Sequence, residues 1–69
     1  MRNLKIVLNG EAFDCPDGTT LLGLIRLRGL APERVAAEAG GAIVRRSDFG
    51  SFVLSPGERV ELVHFVGGG

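Results

Sequence analysis

The chain has 69 residues, 45% of them hydrophobic and 23% charged, and eight basic residues balance eight acidic ones for a formal net charge of +0. A chain of this length holds one core and one domain, and this apolar content excludes intrinsic disorder. The charge balance excludes the basic stripe that displaces counterions from nucleic acid, and equally the cationic face that seeks an anionic membrane.

Met1 to Lys5 runs straight into an alternating segment and has neither an apolar signal core nor a small-residue cleavage site, so no signal peptide is expected. The apolar run from Leu21 to Ile25 is far too short to cross a bilayer. A lone cysteine, Cys15, forms no intrachain disulfide, which fits a reducing compartment and places the expected location in the cytoplasm. Leu4 to Leu8 reads as a first strand, with Lys5 as its only interior charge and both faces expected to be partly covered. Asn9-Gly10 then separates it from Glu11 to Cys15, and this pair is a strong hairpin signal because a type I′ turn needs positive φ at both central positions. In the second strand Ala12 and Asp14 face one way, and Glu11, Phe13 and Cys15 the other.

Pro16-Asp17-Gly18 is a turn, and Thr19 or Thr20 can cap the next element, a helix. Leu21, Leu22, Leu24 and Ile25 gather on one side of that helix, with Gly23 and Arg26 opposite. Arg26 and Arg28 suit its C-terminal end, Gly29 suits the C′ position, and Pro32 prevents continuation. So short a helix must be held by packing its leucine face on a sheet.

Val35 to Ala39 reads as a strand of small residues, Gly40-Gly41 as a second hairpin turn, and Ala42 to Arg45 as the return strand. Ser47 to Gly50 reads as a turn or brief helical loop, Phe52 to Leu54 as a short extended piece, and Ser55-Pro56-Gly57 as the last turn. Arg59 to Val66 is the longest strand signal, with Val60, Leu62, His64 and Val66 on one face and Glu61, Val63 and Phe65 on the other. The last strand has no hairpin neighbour and is apolar on both faces, so it should insert beside the first strand and parallel to it, with the helix as crossover. The expectation is an α+β fold of the β-grasp kind: a mixed sheet of four to five strands with one main helix packed on one face. Residues 1–66 form the domain, and 67–69 a flexible glycine tail.

Several segments, in this order, give the chain a family likeness: Asn9-Gly10, Leu21-Leu22, Val35-Ala36-Ala37-Glu38, Ile43-Val44 with Arg46, Pro56 to Glu61, and above all Val63-His64-Phe65-Val66-Gly67-Gly68-Gly69. The chain resembles the sulfur-carrier proteins of thiamine biosynthesis, the ThiS family of the ubiquitin-like superfamily, over nearly its whole length. Family members often carry Asn-Gly in the second hairpin turn and a proline before the arginine, where this chain has Gly40-Gly41 and Arg45. Gly-Gly makes the same positive-φ turn.

A chain-terminal carboxylate is a poor electrophile until it is activated, for example as a mixed anhydride with the α-phosphate of ATP. To reach a buried phosphate site it must thread a narrow channel. Gly67, Gly68 and Gly69 suit that task because they lack a Cβ and tolerate unusual φ and ψ. A glycine-rich end taken alone is more often an idle terminus, but here it comes directly after the last strand of this pattern. The resemblance implies the remaining steps. An adenylyltransferase of the ThiF/MoeB type, related to ubiquitin-activating enzymes, makes the acyl-adenylate at Gly69. Sulfur ultimately mobilised by a cysteine desulfurase converts it to a thiocarboxylate, and thiazole synthase consumes that sulfur. ATP and its metal belong to the partner, since this chain has no P-loop and no metal-ligand spacing. The chain is thus expected to be a carrier, not an enzyme, with no cofactor of its own.

Val63 and Phe65 share a strand face with Glu61, which makes them candidates for a partner-docking patch; packing of Phe65 under a loop is the competing reading. His64 has no titratable neighbour in sequence and is expected to be structural, and Cys15 to be a small semi-buried hydrophobe. Glu58, Arg59 and Glu61 are expected to form a solvated edge. Three other functions remain open from the residues: the small subunit of molybdopterin synthase, which shares the thiocarboxylate chemistry, a protein-conjugating modifier, and an interaction domain with an idle tail.

Overall fold

The computed structural model describes residues 2–66. Strands β1 (Asn3–Leu8) and β2 (Glu11–Pro16) are followed by helix α1 (Leu21–Leu27) and a 3₁₀ turn (Pro32–Arg34). Strands β3 (Val35–Ala39) and β4 (Ala42–Val44), a second 3₁₀ turn (Arg46–Asp48) and strand β5 (Arg59–His64) complete the order. The five strands form one sheet in the order β2-β1-β5-β3-β4. β1 and β5 run parallel, and the other pairs are antiparallel. The last strand therefore sits at the centre, with α1 in the crossover between the two parallel strands.

Local chemistry accounts for the turns. Asn9 and Gly10 have φ of 49° and 84°, the conformation expected of the first hairpin, and Leu8 pairs with Glu11 across it. Gly40 and Gly41, at 60° and 85°, do the same between β3 and β4. Thr20 is the helix N-cap, and its Oγ1 accepts a hydrogen bond from the Gly23 N–H at 3.1 Å. At the other end the Gly29 N–H donates to the Arg26 carbonyl and the Leu30 N–H to the Ile25 carbonyl, with Gly29 at φ 73°. These two bonds form a Schellman motif, and Leu30 packs against the core as that motif favours.

Leu21, Leu24 and Ile25, at i, i+3 and i+4, are fully buried, and Leu22 is half-buried beside them. They meet Leu4, Ile6 and Leu8 of β1, Val35 and Ala37 of β3, and Val60 and Leu62 of β5. Cys15 completes the β2 side as a buried free thiol. The sheet has one helix-covered face and one open face.

Four details differ from the sequence reading. The expectation that both faces of β1 are covered fails on the open side, where Asn3 and Lys5 are exposed and only Val7 is half-buried, because α1 covers the other face. β5 ends at His64 rather than Val66, since β3, its antiparallel partner, begins at Val35 opposite His64. The 52–54 piece forms only an isolated bridge, Val53 to Thr20. Glu58, Arg59 and Glu61 do not form a sheet edge: β5 is central, Glu61 lies opposite Glu38 of β3, and the Glu58 carboxylate accepts from the Ser55 N–H at 3.2 Å to close the last turn.

The segment before that turn contributes more than its loop-like sequence indicates. Phe49 is the largest fully buried side chain. The Leu22 N–H donates to the Phe49 carbonyl at 2.9 Å, and the Leu21 N–H to the Phe52 carbonyl at 2.8 Å. With the Thr20 cap on Gly23, these contacts satisfy donors that a helix start otherwise leaves unpaired.

Candidate functional site

The site predicted from the sequence is the end of β5 together with the chain terminus beyond it. β5 has β1 on one side and β3 on the other, but β1 stops pairing at Leu8, opposite Val60, where the chain turns. Beyond that point Asn9 takes over. Its backbone N–H donates to the Val60 carbonyl at 2.9 Å. Its side-chain Oδ1 accepts from the Leu62 N–H at 2.8 Å, and its Nδ2 donates to the Leu62 carbonyl at 3.3 Å. The amide thus replaces a strand neighbour at a residue 53 positions away. The sequence explains Asn9 only as a turn residue; its second role depends on β5 lying beside the hairpin.

On the other side the ladder to β3 ends with Val35 opposite His64, and the Phe65 N–H extends it by donating to the Arg34 carbonyl at 2.8 Å. The 32–35 backbone is held in turn by Arg46, whose Nε donates to the Pro32 carbonyl at 3.1 Å and whose Nη2 donates to the Val35 carbonyl at 3.4 Å. Arg46 belongs to the segments that carry the family likeness, but its spacing in sequence does not reveal this contact. The root of the tail is therefore fastened from both flanks before the chain leaves the sheet.

We expect Asn9→Gly, which keeps the positive φ and removes the amide, to cost about 1–3 kcal/mol, since the Leu62 backbone groups lose their partners. In a domain of this size that is a fall in Tm of roughly 5–15 °C by calorimetry. An unchanged Tm would show that the amide does not brace β5.

Val63 and Phe65 are 56% and 54% exposed, so Phe65 is not packed under a loop. Val66 and, on β4, Ile43 are both 81% exposed. His64 is exposed and stands at the last rung of β5, opposite Val35. Gly67, Gly68 and Gly69, the expected tail with its reactive carboxylate, lie outside the described residues. Among the described residues there is no group of three or more His, Cys, Asp or Glu placed to hold a metal ion. Among them, too, no helix is long and apolar enough to cross a membrane.

Known proteins are similar to this chain in sequence and in fold. The sequence matches the ThiS family over residues 6–69. A thiazole synthase of Magnetococcus marinus is 48% identical over 66 residues, which is 96% of this chain and 20% of that protein, so the chain spans one fifth of that relative's length. An uncharacterized ycf40 protein of Porphyra purpurea is 31% identical over 68 residues, covering 99% of this chain and 96% of that one. The crystal structure of the thiamine biosynthesis protein ThiS from Geobacter metallireducens is similar with a TM-score of 0.80 and 25% identity, covering 96% of this chain and 100% of that one. The mixed five-stranded sheet with its crossing helix is the ubiquitin-like β-grasp of that structure. With the match running from β1 through the terminal glycines, this chain belongs to the ThiS family.

Proposed function

We propose that the chain is a sulfur carrier of thiamine biosynthesis whose reactive group is the Gly69 carboxylate. The observation that carries this reading is the family match, which extends through all three terminal glycines, just past a braced central strand. A carboxylate oxygen of Gly69 attacks the α-phosphorus of ATP in the active site of an adenylyltransferase of the ThiF/MoeB type, and pyrophosphate leaves. The terminal sulfur of a persulfide, charged by a cysteine desulfurase, then attacks the acyl carbon and AMP leaves. A thiol cleaves the resulting S–S bond and frees the thiocarboxylate. Thiazole synthase takes that sulfur into the thiazole ring.

In this reading the chain binds no cofactor. Its part is mechanical: β5 is the rigid handle, Asn9 and Arg46 steady it, and glycines pass through a channel that a Cβ would obstruct. Val63 and Phe65 are the docking contacts beside the tail. The thiamine pathway is favoured over molybdopterin synthesis because a thiazole synthase carries a region similar to nearly the whole of this chain.

The test is intact mass spectrometry of the 69-residue chain after incubation with the cognate adenylyltransferase, ATP and a persulfide donor. Replacement of one terminal oxygen by sulfur is the expected outcome. An unchanged mass overturns the reading, and adducts on lysines would assign a protein-conjugating modifier instead.

A further inference from the structure

Asn9 is followed directly by Gly10, and this pair carries a reactivity beyond its two structural roles. The carbon of an asparagine side-chain amide is an electrophile, and the next peptide nitrogen can close a succinimide ring on it. Ring closure needs an unhindered neighbour, and a glycine has no Cβ and tolerates the backbone rotation involved. Both residues are exposed, and nothing lies within 4 Å of the place a Gly10 Cβ would occupy, so the pair is open to water. The restraint comes from the neighbouring strand. Asn9 Oδ1 accepts from the Leu62 N–H at 2.8 Å, and Nδ2 donates to the Leu62 carbonyl at 3.3 Å. Asn3, the other asparagine of the chain, precedes Leu4, whose side chain crowds the nitrogen that would attack.

We infer that Asn9 is a site of spontaneous deamidation, that opening of its two bonds to Leu62 sets the rate, and that conversion makes the loss of this brace permanent. The two bonds fix the orientation of the amide, and cyclisation has to break them. Once they open, the Gly10 nitrogen loses its proton and attacks Asn9 Cγ. The new C–N bond forms, the bond from Cγ to Nδ2 breaks, and Nδ2 leaves as ammonia with the proton. Water then opens the succinimide. Cleavage between Cγ and the Gly10 nitrogen leaves aspartate. Cleavage between the Asn9 carbonyl carbon and that nitrogen leaves isoaspartate, with the main chain rerouted through Cγ. Neither product restores the brace. An ionised aspartate has no N–H to donate, and its second oxygen repels the Leu62 carbonyl. Isoaspartate lengthens the turn by a backbone carbon and moves the carboxylate off its old path. The consequence for sulfur transfer rests on the carrier reading above: with β5 held from one flank only, Gly69 reaches its reacting position less often.

The experiment incubates the full chain at mildly alkaline pH, in buffer and in guanidinium chloride, and follows Asn9 and Asn3 by peptide mapping with mass spectrometry. Asn9 should convert about tenfold faster, or more, in denaturant, where the bonds to Leu62 no longer protect it. Asn3 should convert far more slowly than Asn9 there. The converted chain, separated by anion exchange through its added negative charge and refolded, should melt roughly 4–8 °C lower than the unconverted chain. Its Leu62 amide proton should exchange faster with solvent, and Asn9→Asp, made directly, should show both changes. Equal Asn9 rates in buffer and in denaturant overturn the inference, as does an Asn3 rate equal to that of Asn9 in denaturant. A converted chain with unchanged Tm and unchanged Leu62 exchange also overturns it. ATP–pyrophosphate exchange with the cognate adenylyltransferase should fall on conversion; equal exchange by both forms removes the link to the tail. No exchange by either form overturns the carrier reading and leaves the deamidation result standing.

Discussion

Deleting Gly69 is expected to abolish ATP–pyrophosphate exchange with the cognate adenylyltransferase while leaving the thermal transition where it is. The two halves of this result have separate causes. Among the described residues the core cluster runs from Leu4 to Leu62 and the last ladder residue is His64, and Gly69 lies beyond both in sequence. The chemistry depends on reach. Removing one residue draws the carboxylate back by about 3.5 Å along an extended backbone. A misplacement of about 1 Å already costs on the order of 10²-fold where reacting atoms must align. With the root held by Asn9 on one flank and by the Arg34 carbonyl on the other, the sheet cannot slide forward to compensate. Exchange that persists at the full rate in the truncated chain would remove Gly69 from the reaction.

Phe49→Ala is expected to have the largest effect on folding. The ring is 2% exposed and belongs to the central cluster, and truncations of this kind cost about 3–5 kcal/mol. At about 0.05–0.15 kcal/mol per residue, that is a large share of everything a chain this short has. The loss should spread to the start of α1, because the Phe49 carbonyl accepts the Leu22 N–H and the neighbouring Phe52 carbonyl accepts the Leu21 N–H. Urea titration followed by circular dichroism should show a midpoint far below that of the wild-type chain, or no cooperative transition. Phe49→Leu, which retains most of the volume, should cost about 1.5 kcal/mol or less. A midpoint for the alanine variant close to the wild-type value would show that the segment 46–54 is not part of the cooperative core.

Much of this molecule is legible in its sequence because the signals are local. Asn9-Gly10 and Gly40-Gly41 specify their turns through positive φ, which few other residues tolerate. The leucine spacing with Thr20 before it and Gly29 after it specifies the helix. Even the central place of β5 is predictable from its apolar character on both faces and its lack of a hairpin partner. The likeness of the terminal segment to sulfur carriers adds the site proposed for the chain terminus.

Composition and near-neighbour spacing thus determined the order of elements, the turns, the helix caps and the glycine end, since each depends on backbone preferences within a few residues. Tertiary structure alone decided that Asn9 braces Leu62, that Arg46 ties down the turn beside the tail, that Phe49 lies in the core, and that Glu38 faces Glu61. Each of these pairs or burials joins separate segments of the chain. The contact exists only once strand register has set which residue meets which, and register belongs to the sheet as a whole.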